Sequence, residues 1–112
     1  MVTEEQIQEI VRRIVAGYQP DRIILFGSYA YGTPTEESDV DLLVIKADDE
    51  RGAAARVVEV SMAVWQDPSP WLPAMDVLVL NRVEQQRATQ NRFAVENKAL
   101  RNGRELYIRS AE

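Results

Sequence analysis

The sequence contains no cysteine and no histidine. The first absence excludes a disulfide scaffold and thiolate metal sites, and the second removes the commonest general base and metal ligand. Any metal must therefore be held by oxygen. Long apolar stretches are missing too, because no run exceeds four residues, against the roughly 20 needed to span a bilayer. Excess positive charge is also absent: 13 basic residues face 18 acidic ones, for a net charge of −5, whereas a phosphate-backbone binder usually leaves a basic footprint. Neither direct nucleic-acid binding nor a membrane partner is expected. The opening Met1-Val2-Thr3-Glu4-Glu5 is acidic where a secretory leader would be basic, so a cytoplasmic location is expected.

What is present suffices for one core. At about 100–200 residues per domain, 112 residues point to a single domain spanning 1–112. Thirty of them are Leu, Ile, Val or Phe, above the roughly 20% floor below which disorder is the better reading.

Thr3 with Gln6 forms a capping box, and Ile7, Ile10, Val11, Ile14 and Val15 recur at helical spacing until Gly17 and Pro20. Arg22-Ile23-Ile24-Leu25-Phe26 then reads as a short strand buried on both faces, ended by Gly27. A turn-rich stretch runs to Ser38, and Val40 to Ile45 is a second strand interrupted by Asp41. After the acidic Asp48-Asp49-Glu50, the residues Ala54, Val57, Val58, Ser61, Met62 and Trp65 mark a helix whose apolar stripe is expected to face the core, ending near Asp67-Pro68. Pro68, Pro70 and Pro73 force a loop, Met75 to Leu80 is a third strand carrying Asp76, and Val83 to Asn102 is a polar helical segment closed by Gly103. The expected order is α-β-β-α-β-α, an α/β (α+β) fold with a small mixed sheet. A right-handed crossover makes the second and third strands parallel.

Asp39 and Asp41 flank Val40 at the start of the second strand, and a period of two puts both carboxylates on one face. Asp76 lies at the start of the third strand. If these strands are parallel neighbours, about 4.8 Å apart, all three carboxylates converge. Left unneutralised they would repel one another, a penalty that divalent cations remove. Hard cations such as Mg²⁺ fit, since they take one or two carboxylates together with substrate phosphates and water. Gly27-Ser28 at the end of the first strand offers backbone N–H groups and a hydroxyl to a phosphate. A Gly-Ser after a strand is by itself an ordinary turn, and only the carboxylates give it meaning. For it to face them, the first and second strands must be antiparallel.

Gly27-Ser28, ten residues, Asp39-Val40-Asp41 and a later Asp76 resemble the signature of the polymerase-β-like nucleotidyltransferase superfamily. The contexts Leu25-Phe26-Gly27-Ser28-Tyr29-Ala30-Tyr31-Gly32 and Ser38-Asp39-Val40-Asp41-Leu42-Leu43-Val44 are similar to the minimal nucleotidyltransferases (MNT), antitoxins encoded beside HEPN-domain toxins. The tail from Ala99 to Tyr107 is similar to the end of these proteins. The resemblance implies that Gly27 and Ser28 hold the triphosphate, that Asp39 and Asp41 bind two Mg²⁺, and that Asp76 completes the metal site and helps to deprotonate the acceptor. It implies AMP transfer from ATP to a tyrosine hydroxyl of a HEPN ribonuclease, silencing that toxin, and it allows a hetero-oligomer of the two. Many relatives place Arg where Tyr29 and Tyr31 stand here, a departure that bears on how much positive charge this turn brings to the triphosphate. Two other functions compete with this one: an antitoxin that neutralises its partner by binding alone, and an adenylyltransferase for a small molecule such as an aminoglycoside. RNA-end extension is disfavoured by the missing basic track.

Of Tyr29 and Tyr31, one is expected to pack and the other to lie at the surface. Trp65 continues its helix stripe and is expected in the core, whereas Trp71 is the better interface candidate. Arg82, Arg87, Arg92, Arg101, Arg104 and Arg109 are expected on a solvated face. Lys46 has no assignable role.

Overall fold

The computed structural model describes residues 1–66 and 71–110. Helix α1 runs Glu4–Tyr18, with the Thr3/Gln6 capping box formed as the sequence predicts, and ends at Gln19 in the left-handed conformation. Its face of Ile7, Ile10, Val11, Ile14 and Tyr18 is buried, each such side chain stabilising the fold by about 1.5–3 kcal/mol. Gly17 does not stop the helix. A Cβ there would lie 2.6 Å from the Ala63 Cβ, so its role is to let the second long helix approach.

Strand β1 (Arg22–Phe26) leads through the one-turn α2 (Ser28–Tyr31) and a loop into β2 (Val40–Ile45). After α3 (Ala53–Val64) come β3 (Met75–Leu80), α4 (Arg82–Gln90), α5 (Val95–Asn102) and β4 (Arg104–Ile108). The sheet order is β3-β2-β1-β4, with β2 and β3 parallel and β1 antiparallel to both β2 and β4. The mixed sheet and both strand directions agree with the sequence reading.

Three expectations need correction. First, the helical turn expected from Gly27-Ser28 through Tyr31-Gly32 forms as α2, but the C-terminal helical segment is split into α4 and α5 and is followed by the unexpected β4. Strand β4 escapes notice because its sequence, Arg-Glu-Leu-Tyr-Ile, lies at the sheet edge and is at most half-buried. Second, α3 turns a different face inward. Arg56, Val60, Ala63 and Val64 are buried, while Val58, Met62 and Trp65 are exposed by 56%, 66% and 45%. Trp65 is thus a surface residue, as is Trp71. Third, Asp48-Asp49-Glu50 does not open α3, which starts after Gly52. Asp49 instead turns inward, where its carboxylate accepts from the Tyr18 hydroxyl at 2.7 Å and pairs with Arg51. The expected helix end at Asp67-Pro68, and Pro70, lie outside the described residues.

The sheet separates two cores. On one face Ile23, Leu25, Val40, Leu42 and Val44 pack with α1 and α3. On the other, Ile24, Phe26, Leu43, Ile45 and Leu80 meet Ala88 of α4 and Ala99 of α5. Arg56, 1% exposed, ties the layers together at the sheet edge through Glu84 of α4 and the Val79 carbonyl. Lys46 donates to the Tyr18 carbonyl at 2.8 Å and lies over that ring, so it closes the C-terminal end of α1. Among the described residues no helix is long and apolar enough to cross a membrane.

Candidate active site

The parallel register pairs Val40 with Met75 and Asp41 with Asp76. Two carboxylates therefore stand on adjacent strands at the same level. By strand alternation both share the face of Leu43, Ile45 and Leu80, and Asp39, two residues before Asp41, belongs to the same side. The antiparallel register sets Phe26 against Asp41, so the chain leaves β1 directly over that side chain. These two registers set Asp41 beside Asp76 and under the exit of β1, while Asp39 precedes β2 and lies outside both pairings.

Gly27 has a second reason to be glycine. Its φ of 72° and ψ of −155° belong to a region essentially closed to other residues. A Cβ there would also lie 2.1 Å from Asp41 Oδ2. Beyond the phosphate approach expected of it, this glycine makes room for the carboxylate. In α2, the N–H groups of Ala30 and Tyr31 both donate to the Gly27 carbonyl at 3.1 Å. Ser28 is half-buried, and among the described residues its hydroxyl has no hydrogen-bond partner, leaving it open to a ligand.

Asp41 feels both neighbouring carboxylates. Burial pushes the Asp41 carboxyl above the ordinary carboxylate value, and the charges of Asp76 and then Asp39 push it further. Asp41 is half-buried, whereas Asp39 and Asp76 are exposed. Among the described residues no three acidic side chains form a ready-made cation cage. An oxygen-only, mutually repelling pair on neighbouring strands still fits Mg²⁺, which completes its shell from phosphate oxygens and water. Asp39, Asp41 and Asp76 are the residues that would hold it. A cavity of about 270 Å³ borders Asp39 between the start of α1 and the loop before β2.

Tyr29 is half-buried with its hydroxyl accepting from the Val2 N–H at 3.1 Å, whereas Tyr31 is exposed. One packed and one surface tyrosine is the expected outcome. The six C-terminal arginines are all exposed; Arg104 pairs with Glu4 and Arg109 with Asp21. The sequence missed Lys98 of α5, whose ammonium lies 4.5 Å from the Tyr31 ring centroid. An isolated lysine in a polar segment gives no sequence signal.

A family model described as "Nucleotidyltransferase domain" matches residues 4–107. Two proteins of Methanocaldococcus jannaschii, each named "Putative protein adenylyltransferase", are also similar. One is 47% identical over 47 residues, 40% of this chain and 47% of its own length. The other is 46% identical over 48 residues, 39% of this chain and 48% of its own length. The chain thus spans about half the length of these relatives. The crystal structure of a "putative nucleotidyltransferase" from Sulfolobus solfataricus shares the fold, with a TM-score of 0.64 at 20% identity over 94% of this chain and 79% of that one.

Proposed function

The chain belongs to the nucleotidyltransferase domain family, and from that membership we propose a Mg²⁺-dependent transfer of AMP from ATP to a hydroxyl of another protein. The observation that carries this reading is the opposition of Asp41 and Asp76 in parallel register, with Asp41 directly against Gly27. The names of the two archaeal relatives support a protein acceptor.

In the proposed reaction Gly27 and Ser28 hold the β and γ phosphates. The acceptor oxygen attacks the α-phosphorus, the bond from that phosphorus to the bridging oxygen breaks, and pyrophosphate leaves. Asp76, exposed at the sheet edge, takes the hydroxyl proton. Mg²⁺, when bound by Asp39, Asp41 and Asp76, supplies the charge neutralisation that three carboxylates beside a triphosphate require. The acceptor we propose is a tyrosine of a HEPN ribonuclease toxin encoded beside this chain, which makes the chain the antitoxin of the pair.

Incubation of the two proteins with ATP and Mg²⁺ should raise the toxin's intact mass by one or more adenylates. Asp39→Asn and Asp41→Asn should each lower the rate at least a hundredfold, about 2.7 kcal/mol in the barrier. An antitoxin that neutralises equally well as the Asp39→Asn/Asp41→Asn double variant acts by binding alone, and that result would reject the catalytic reading.

A further inference from the structure

We propose that Lys98 is the protein's triphosphate-binding cation, delivered to the phosphate turn from α5 with the Tyr31 ring as its platform. The assignment rests on the nucleotidyltransferase reading and adds a residue to it. A triphosphate brings about four negative charges to a site already holding Asp39, Asp41 and Asp76. The turn that receives it, Ser28-Tyr29-Ala30-Tyr31, carries no basic side chain. Positive charge from the protein must therefore come from another element.

Among the described residues most cations are engaged elsewhere. Lys46 serves the Tyr18 carbonyl, Arg101 donates to Asn97 Oδ1 at 2.6 Å, and Arg22, Arg51, Arg56 and Arg104 are in ion pairs. Arg82 is placed at the far end of the strands, its N–H donating to the Ala47 carbonyl. Lys98 makes no ion pair among the described residues. Its ammonium stands over Tyr31, whose own N–H bonds back to Gly27.

The supporting element is rigid. Asn97 and Ala99, which flank Lys98, are both buried. The Asn97 amide donates to the Ala88 carbonyl at 2.9 Å, and Ala99 packs in the core shared with Ile24 and Phe26. The base of the lysine stem is thus fixed on the same sheet face as the carboxylates. Its flexible end rests on a ring that holds an ammonium weakly, by about 0.5–1 kcal/mol at an exposed site. A phosphate oxygen, which offers a charge-assisted hydrogen bond, would take one of the ammonium's N–H groups while the ring still supports it.

The test is equilibrium binding of ATP and of AMP, each with Mg²⁺, by calorimetry. Lys98→Met should weaken ATP about tenfold and leave AMP unchanged, because AMP lacks the β and γ phosphates. Lys98→Arg should restore most of the loss. Tyr31→Phe should bind as the wild type does, while Tyr31→Leu should weaken ATP about threefold. Thermal melting of each variant should stay within about 4–8 °C of the wild type, because both side chains are exposed and the ring contact is worth at most about 1 kcal/mol. Wild-type ATP affinity should also fall more steeply with salt than that of Lys98→Met. If Lys98→Met binds ATP as tightly as the wild type, or loses ATP and AMP equally, the assignment to Lys98 fails alone. If the wild type binds no ATP, the nucleotide reading fails and the assignment with it.

Discussion

Gly27 and Asp41 are the closest coupling of backbone and chemistry in the molecule. Because a methyl group at Gly27 meets both a forbidden φ/ψ combination and the Asp41 carboxylate, Gly27→Ala should cost about 1–3 kcal/mol of stability, measured by urea unfolding. Adding Asp41→Ala should recover the steric part and leave the backbone strain. Asp41 itself is held charged at a cost. A carboxyl whose folded pKa is raised destabilises the fold above that pKa, and the penalty fades as pH falls through it and is gone below the unfolded value of about 3.9. Asp41→Asn should therefore raise the melting temperature of the metal-free protein at pH 7. That advantage should vanish below about pH 4. A variant that is more stable and inactive is the expected signature of a site kept for function.

At the scale of elements, the sequence was most legible where pattern and topology constrain each other. The Thr3 cap, the two apolar strands and the Asp39-Val40-Asp41 alternation define α1, β1 and β2 almost to the residue, and the crossover rule then sets β3 parallel. Helix α3 was misread because its apolar residues cover more than one face, and the inward face is decided by Arg56, a residue type that periodicity treats as solvent-facing. Its guanidinium meets Glu84 and two backbone carbonyls. Arg56→Ala should leave these groups unmatched and cost about 3 kcal/mol, visible as a lower denaturant midpoint at unchanged slope. Strand β4 was missed for the opposite reason: it is short and carries little apolar signal, yet it covers one edge of β1. A chain shortened to end at residue 103 would bare β1, an apolar strand buried along almost its whole length. Such an edge templates pairing with other chains, so the shortened chain should aggregate, as light scattering would record.

At the scale of the whole molecule, the absence of histidine and cysteine takes on a chemical meaning. An acidic chain with neither histidine nor cysteine sets Asp41 against Asp76 on neighbouring strands, where their repulsion is a cost that a cation would relieve. The pairing of Asp41 with Asp76 was legible in the sequence because both sit at fixed positions near the starts of two parallel strands. Lys98 was invisible because it comes from a distant helix that only the tertiary fold brings to Tyr31. The central claim is that these residues transfer the adenylate portion of ATP to a protein. It is tested most directly by incubating the chain with its operon neighbour, Mg²⁺ and ATP radiolabelled at either the α or the γ phosphate. Label is expected on the partner from α-labelled ATP only, and Asp41→Asn should abolish it. Label from γ-labelled ATP, or α label undiminished in Asp41→Asn, would contradict that claim.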